Sequence, residues 1–426
     1  MISLSDFHTE FRLSPTLHAN EMVAARRAQG HDVYHLGFGQ APFPVPPRLQ
    51  KALQQNTGHK DYLPTAGLPE LRTAIADYYK DKYGTDAGAH DVFLAPGSKL
   101  ILYAVQMAVE GDLIMPVPSW VSYAPQSKML HNKVVKVHTR LDDDGLHLDP
   151  ETLRETVKKA RDEGLNPTKL ILNYPSNPTG LTITPAELEA IAGVCRDEDL
   201  LIIADAIYAE VMFDGKEHCC ISQYAPERTI MTTAVSKHLS LGGWRMGVGF
   251  IPKEIDGLFG HLLNIASETW SSVATPIQYA LVEAYQGHDD IEDFIRDSTA
   301  IHALMNRYIA EKLRELGVGC PMPQGAFYCY PNFSAFKDKL AARGIHTSRD
   351  LAETLLAQHG IATLPGVAFG ETDDVLTLRL SGCDYNGEKA MAAYRGGEVL
   401  DERFIANHAP NIQGAMQAFA KFMQSL

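Results

Sequence analysis

A lysine and an arginine stand eight residues apart in a glycine-rich part of the chain. Lys237 follows a short apolar run, and Arg245 lies in the turn formed by residues 242–247, which contains three glycines. A lone lysine in a loop is usually only solvated. Glycine, however, lets a backbone approach a bound group closely, and arginine binds an anion through two parallel hydrogen bonds. The spacing therefore favours a site for an anionic ligand next to an amine.

Other polar residues interrupt or end apolar runs. Asp205 ends the run at 200–204, where a carboxylate either caps the next helix or serves as a functional acid. Arg379 lies inside an apolar run, where an unpaired arginine costs stability, and this favours anion binding over a surface strand. Residues 173–180 follow another run, and their proline and glycine content is equally typical of an ordinary turn.

The elements that would position these residues are short β-rich runs separated by amphipathic stretches. Several runs are apolar at consecutive positions, as strands buried on both faces are. They span residues 92–95, 113–115, 134–137, 169–173, 200–204, 229–234 and 247–251. Strands that alternate with helices predict a mostly parallel sheet covered on both sides, which binds ligands where strand ends meet helix N-termini.

The pattern changes after about residue 285. A long helical stretch at 291–316 precedes the segment 325–328, another helix, a strand at 375–380 and a C-terminal helix. A chain of 426 residues is too long for one simple core. We predict an α/β protein with an N-terminal arm and part of a small domain (residues 1–45), a large domain with a mostly parallel mixed sheet flanked by helices (46–285), and a small α+β domain (286–426).

Composition and charge argue against several classes of function. The formal net charge of −14 argues against nucleic acid as a partner, because binding its phosphates needs a concentrated basic surface. No apolar run is long enough to cross a membrane, and the first residues lack the pattern of a signal peptide. The six cysteines show neither a CxxC pair nor a metal-ligand spacing. We therefore expect reduced thiols, no metal and a cytoplasmic location.

Five motifs, taken in order, resemble the class I/II aminotransferases, the fold-type I pyridoxal-phosphate enzymes of the aspartate aminotransferase superfamily. They are residues 61–72 (DYLPTAGLPELR), 119–123 (SWVSY), 173–180 (NYPSNPTG), 205–208 (DAIY) and 236–247 (SKHLSLGGWRMG). The resemblance extends from about Ser14 to Arg379. It implies the fold-type I architecture, pyridoxal 5'-phosphate as cofactor, and transamination between an L-amino acid and a 2-oxo acid in a homodimer.

The resemblance also implies roles for particular residues. Lys237 would hold the cofactor as a Schiff base and then act as general acid and base. Asp205 would keep the pyridine nitrogen protonated, while Asn177 and Tyr208 would donate to the phenolic oxygen. Trp120 would stack on the ring, with a buried core tryptophan as the alternative.

The cofactor phosphate and the substrate both need fixed cations and N–H donors. Amides at the N-terminus of the helical run 100–109 would bind the phosphate. The implied phosphate residues are Gly97, Ser98, Lys99, Ser236 and Arg245, with Tyr62 reaching in from the other subunit. Arg379 would bind the substrate α-carboxylate, helped by Asn177 and the backbone around Gly39.

The sequence is less informative about which amino acid is the substrate. Ser14, Thr16 and Lys99 match positions at which one bacterial branch of the family recognises an acidic side chain, which indicates an aspartate- or glutamate-type donor. A solvated lysine at the start of a helix explains Lys99 equally well. Trp270 either lines the substrate entrance, which would favour larger side chains, or packs in the core.

The chain departs from the family pattern at several positions. Residues 39–43 read Gly-Gln-Ala-Pro-Phe where Gly-Glu-Pro-Asp-Phe is common, and this places the identity of the substrate in doubt. Ala234 replaces a common serine, so one phosphate hydroxyl would be missing. Residues 390–411 match nothing in the pattern. Carbon–sulfur lyases and related elimination enzymes or synthases share the same cofactor residues, so the motifs leave this alternative to transamination open.

Overall fold

A computed structural model describes residues 14–83 and 85–426. Its strands are, in chain order, β1 (Tyr34–His35), β2 (Val92–Ala95), β3 (Asp112–Val117), β4 (Val134–His138), β5 (Arg140–Leu141), β6 (Leu146–His147), β7 (Pro167–Leu172), β8 (Leu201–Asp205), β9 (Thr229–Ala234), β10 (Gly247–Phe250), β11 (Tyr328–Cys329), β12 (Ile361–Ala362), β13 (Leu364–Pro365) and β14 (Leu378–Ser381).

The helices frequently begin at proline, whose fixed φ suits the first turn and whose missing N–H costs nothing there. They are α1 (Pro15–Ala28), α2 (Pro47–Asn56), α3 (Pro69–Tyr83), α4 (Ser98–Ala108), α5 (Tyr123–Met129), α6 (Pro150–Asp162), α7 (Pro185–Asp197), α8 (Leu258–Ser267), α9 (Thr275–Leu281), α10 (Asp289–Glu315), α11 (Lys337–Ala341), α12 (Ser348–His359), α13 (Gly387–Arg395), α14 (Glu402–His408) and α15 (Pro410–Ser425).

A seven-stranded sheet has the order β2-β10-β9-β8-β7-β3-β4 and is buried on both faces. Successive side chains of a strand point to opposite faces. In β2, Phe93 joins a core with α4 and α8, whereas Leu94 joins a second core with α3, α6 and α7. Burial on both faces explains the consecutive apolar residues in the sequence, and the predicted α/β architecture is confirmed.

The direction of the strands brings several loops to one edge of this sheet. β10 runs antiparallel to β2 and β9, while the other neighbouring strands pair in parallel. The carboxyl ends of β2, β7, β8 and β9 therefore meet the amino end of β10. Each of these ends carries a polar motif of the sequence.

The remaining elements lie around the long helix α10. β14 pairs antiparallel with β11 and β13, and α10 packs against β11, α13 and α15. β1 pairs in parallel with β12, so residues 34–35 join a segment more than 300 residues further along the chain. That residues 1–45 contribute to the small domain stays a prediction. The domain boundaries themselves stay predictions.

Two segments differ from what the sequence indicates. The strand predicted at 375–380 begins only at Leu378, because the N–H of Val375 closes a turn onto the carbonyl oxygen of Thr372. Residues 390–411 complete α13, form α14 and begin α15. Arg395 donates from Nε to Asp297 Oδ2 at 2.8 Å and so fastens α13 to α10.

Two further expectations concern cysteines and membranes. All six cysteines are free thiols, as predicted, and five of them are buried. Within residues 14–83 and 85–426, no helix is both long enough and apolar enough to cross a membrane.

Candidate active site

A cavity of about 580 Å³ opens at the sheet edge where the polar motifs meet. Most of the residues singled out in the sequence line it: Ser14, Thr16, Gly39, Ser98, Lys99, Trp120, Asn177, Asp205, Tyr208, Ser236, Lys237, Arg245 and Arg379. Asp205 is the last residue of β8, and the loops that follow β7 and β9 supply Asn177 and Lys237. The start of α4 supplies Ser98 and Lys99. The fold therefore brings these separate motifs into one site.

Lys237 is held in a largely apolar corner of the cavity. Its Nζ donates to the carbonyl oxygen of Gly39 at 2.9 Å and lies 5.5 Å and 5.3 Å from the ring centroids of Tyr208 and Phe327. Burial lowers the pKa of the Lys237 amine to about 8, and the nearby guanidinium of Arg379 acts in the same direction. A larger fraction of this amine is therefore neutral, and nucleophilic, at a given pH than of an exposed lysine.

Asp205 is buried at the carboxyl end of β8. Tyr123 donates to its Oδ2 at 2.6 Å and Thr232 donates to its Oδ1 at 3.3 Å. Burial raises the pKa of Asp205 to about 6, while these hydrogen bonds oppose the rise. The two donors fix the direction of the carboxyl group, which suits it to hold a cationic N–H in the cavity.

Arg379 is a buried arginine with donors to spare. Its Nη1 donates to Asn177 Oδ1 at 3.2 Å and its Nη2 donates to the carbonyl oxygen of Gly37 at 2.6 Å. Within the described ranges its Nε has no partner, and no carboxylate pairs with its charge. The guanidinium carbon lies 4.7 Å and 5.3 Å from the ring centroids of Tyr328 and Phe369. A buried cation without an anion is suited to bind a carboxylate.

A second cationic site lies at the N-terminus of α4. Gly97 has φ 93° and ψ 150°, a conformation essentially confined to glycine, and directly precedes the helix. A Cβ on Gly97 would lie 2.1 Å from Nη2 of Arg245, so the absence of a side chain makes room for the guanidinium. In the described part of the chain, Arg245 donates hydrogen bonds only to the carbonyl oxygens of Gly242 and Pro96, each at 3.1 Å. Helix N–H groups and a guanidinium without an acidic partner among the described residues are together suited to an anion.

The side of the cavity at the start of α4 carries an aromatic ring and a second lysine. Trp120 lines the cavity and packs edge-on against Tyr123, so it is not simply a core residue. Lys99 Nζ lies 5.0 Å from the centroid of the Trp120 ring, and no acidic partner is found for it among the described residues. Partial burial and the charge of Arg245 both lower the pKa of Lys99. Ser14 and Thr16, at the start of α1, also line the cavity.

Three of the residues considered from the sequence do not line the cavity. Gly97 lies behind Arg245, as described. Tyr62 is 93% exposed on the surface of the single chain. Trp270 packs against Phe93 at a centroid distance of 6.1 Å, which supports the core-packing interpretation over a place at the substrate entrance.

The sequence interpretation missed residues that the structure places in contact with the predicted ones. Tyr123 donates a hydrogen bond to Asp205, and the carbonyl oxygen of Gly37 accepts one from Arg379. Tyr328 contacts both Tyr208 and Arg379. Tyr123 ends the motif at 119–123 and Tyr328 ends the segment 325–328. Nothing in their local sequence indicates which residue each would contact.

This fold and this site are those of an aminotransferase. Residues 31–387 match the family model "Aminotransferase class I and II", and the chain belongs to that family. It is similar to an aspartate aminotransferase of Geobacillus stearothermophilus (34% identity over 372 residues, 85% of this chain and 90% of the relative) and to an asparagine–oxo-acid transaminase of Streptococcus mutans (34% over 385 residues, 88% and 94%). A solved aspartate aminotransferase of Thermus thermophilus with maleate superposes with a TM-score of 0.84 at 26% identity over 99% of this chain and the whole of that chain.

The enzyme therefore catalyses transamination. The names of these relatives agree with the transamination predicted from the motifs and give no support to the lyase alternative over it.

Proposed function

We propose that the enzyme uses pyridoxal 5'-phosphate, held at Lys237, to exchange the amino group of an acidic L-amino acid with a 2-oxo acid. One observation carries this proposal. A single cavity holds a buried amine, a buried carboxyl group and two guanidinium groups that have no acidic partner in the described part of the chain.

The residues present fit the proposed cofactor. The neutral amine of Lys237 suits an aldehyde, Asp205 suits a protonated ring nitrogen, and Arg245 with the start of α4 suits a phosphate. Gly97 leaves a space that a Cβ would fill, and this space supports the assignment of the phosphate to Arg245 and the start of α4. When bound, pyridoxal phosphate supplies an aldehyde that binds amines and a ring that withdraws electrons from the α-carbon.

The residues of the chain would bind the reactants and move protons. The Lys237 amine takes a proton from the substrate α-carbon and returns one, because its lowered pKa lets it act in both directions near neutral pH. Asp205 would keep the ring nitrogen of the bound cofactor protonated, while Asn177 and Tyr208 would donate to its phenolic oxygen. Arg379 orients the α-carboxylate through the donors that its present partners leave free.

The acidic side chain of the substrate would bind at Lys99. This lysine lines the same cavity as Ser14 and Thr16, and in the described residues it has no acidic partner. A carboxylate at that position gains a charge-assisted hydrogen bond. The relatives named aspartate aminotransferases support an acidic donor, whereas the asparagine–oxo-acid transaminase makes asparagine the second compound to test.

A panel of amino acids tests the substrate. Each amino acid is added to purified enzyme while the cofactor absorbance is followed, first alone and then with 2-oxoglutarate. Aspartate and glutamate should change the spectrum, and 2-oxoglutarate should restore it as glutamate forms. A response to asparagine or to aromatic amino acids alone would contradict the acidic donor, and pyruvate with ammonia in the absence of a 2-oxo acid would indicate a lyase.

Borohydride reduction followed by peptide mapping tests the cofactor. The reduced adduct is expected on Lys237. An adduct on another lysine, or none at all, would disprove the central assignment.

We also propose that the active enzyme is a homodimer in which Tyr62 of one protomer completes the phosphate site of the other. The exposed phenol of Tyr62, which the single chain leaves uncovered, supports this arrangement. Mixing inactive Lys237→Ala enzyme with a Tyr62→Ala variant tests it, because each mixed dimer would contain one intact site. Activity should rise on mixing and subunit exchange; a mixture no more active than its two components would contradict shared sites.

A further inference from the structure

Two buried tyrosines share a hydrogen bond at the inner wall of the cavity. The Oη atoms of Tyr208 and Tyr328 lie 2.7 Å apart, and both side chains are almost fully buried. Tyr208 follows β8 and Tyr328 begins β11, so the pair joins two elements that are 120 residues apart in sequence. In residues 14–83 and 85–426, neither hydroxyl group has another hydrogen-bond partner. One proton lies between the two oxygens, and the other is free to point into the cavity.

Tyr328 also contacts the other parts of the site. Its ring lies under the guanidinium group of Arg379, with 4.7 Å between the guanidinium carbon and the ring centroid. Its hydroxyl packs against Gly39 so closely that a Cβ there would lie 2.0 Å from the Tyr328 oxygen. The carbonyl oxygen of Gly39 in turn accepts from Lys237. Tyr328 thus contacts the residue proposed for the substrate carboxylate and the residue proposed for the cofactor oxygen.

We propose that Tyr328 is a positioning residue that donates its hydroxyl proton to Tyr208 and couples the charge at Arg379 to that hydrogen bond. The inference rests on the proposed function, because it takes Tyr208 as the donor to the cofactor phenolic oxygen. A hydroxyl has a single proton to donate. If Tyr208 donates into the cavity, its oxygen must accept from Tyr328.

The charge at Arg379 affects how strongly the Tyr328 hydroxyl group donates its hydrogen bond. Burial raises the pKa of Tyr328 to about 12, and the positive charge of Arg379 opposes this rise. A carboxylate bound at Arg379 offsets that charge, so Tyr328 becomes a weaker donor and Tyr208 becomes weaker in turn. The hydrogen bond from Tyr208 then stabilises negative charge on the cofactor oxygen less. The pKa of the bound chromophore therefore rises, and the chromophore keeps its proton to a higher pH.

The Tyr328→Phe variant tests the hydrogen bond. The absorbance of the holoenzyme is titrated with pH, with and without succinate, a dicarboxylate that has no amino group. The wild-type titration midpoint should rise when succinate binds. In Tyr328→Phe the midpoint without succinate should rise by about one pH unit, the effect of losing one buried hydrogen bond, and succinate should shift it less than half as far as in the wild type.

Tyr330→Phe is the matched control. Tyr330 is equally buried and lies two residues further along, but its hydroxyl pairs with Thr377. This variant should titrate as the wild type does. A Tyr328→Phe enzyme that also titrates as the wild type does, with and without succinate, would overturn the proposal.

A double variant separates positioning from a general structural effect. If Tyr328 acts through Tyr208, Tyr208→Phe and Tyr208→Phe/Tyr328→Phe should titrate with the same midpoint. The double variant lacks both hydroxyl groups, so it contains no buried hydroxyl that has lost its partner. The comparison therefore decides the question even if Tyr328→Phe alone folds poorly. Different midpoints would show that Tyr328 acts by another route. Failure of the proposed function would appear separately, as a wild-type protein without an adduct on Lys237.

Discussion

At the scale of single residues, burial determines how the site can react. Lys237 and Asp205 are ordinary ionisable groups whose proton affinities change mainly because both side chains are buried. Arg379 is costly to bury, and the structure leaves its Nε unpaired in the described chain. Buried ionisable groups of this kind are suited to bind charged reactants, and burying them lowers the stability of the fold.

The pH dependence of cofactor capture follows from the environment of Lys237. Only the neutral amine attacks an aldehyde, and the pKa of Lys237 is about 8 instead of the usual 10.5. The rate at which apoenzyme captures pyridoxal phosphate should therefore rise with pH through a midpoint near 8 and level off above it. Stopped-flow absorbance measures this rate, with N-acetyl-lysine as the exposed reference amine. Equal midpoints for enzyme and reference would disprove the effect of burial.

The Arg379→Lys substitution should impair substrate binding selectively. It retains the positive charge but removes the planar group that binds a carboxylate with two parallel hydrogen bonds. A loss of about 2.5 kcal/mol predicts a fall in kcat/KM of roughly 100-fold, with little change in cofactor affinity. Steady-state kinetics and cofactor titration measure the two quantities. Equal losses in both would indicate misfolding instead of a carboxylate site.

At the scale of elements, the sheet edge and the helix starts position the site. The antiparallel direction of β10 places Arg245 next to Gly97, although the two residues are far apart in sequence. The turn before α4 then needs a residue without a side chain, both for its conformation and for the space that the guanidinium occupies. The proposed phosphate site therefore depends on two elements together.

Gly97→Ala should weaken cofactor binding. The conformation of Gly97 would cost alanine about 1–3 kcal/mol, and the new methyl group would displace Arg245, so the dissociation constant should rise about tenfold or more. Gly243→Ala is the matched control, because a Cβ there meets nothing within 4 Å and the same arginine follows two residues later. Equilibrium dialysis compares the two. Equal affinities in both variants would contradict the role assigned to the turn.

At the scale of the whole molecule, a partly buried cluster of charged residues joins two helices and the segment that follows β8. Lys82 on α3, whose side chain is 31% exposed, bonds to the buried Glu210, which follows β8, and to the 40% exposed Glu292 on α10 at 3.0 Å. The Glu210 side chain is only 2% exposed and also accepts from Tyr83 at 2.7 Å. This cluster connects the large sheet with the long helix.

Lys82→Met should destabilise the fold. It leaves the buried carboxylate of Glu210 without its cation, at a cost of about 3 kcal/mol in the free energy of unfolding. Lys80→Met, on the exposed side of the same helix, should cost little. Denaturant titration measures both, and Lys82→Met with Glu210→Gln should recover part of the loss. A Lys82→Met variant as stable as Lys80→Met would show that the pair adds nothing.

The sequence by itself determined the fold class and most residues of the cavity. Consecutive apolar residues in short runs indicate strands buried on both faces, and this signal is local. The residues that would perform the chemistry follow those runs directly, as Asp205 ends β8, so their place at the sheet edge was predictable. The residues at which strands and helices end were less predictable from the sequence. A turn such as that at Thr372–Val375 depends on which N–H groups find an acceptor.

Only the tertiary structure decided which residues contact one another and how their proton affinities change. Arg379 contacts Asn177 across 202 residues, and Tyr123 contacts Asp205 across 82. The tyrosine pair formed by Tyr208 and Tyr328 has no local signature in either segment. Hydrogen-bond partners and burial arise from packing between distant segments, so a pattern read along the chain carries no information about them.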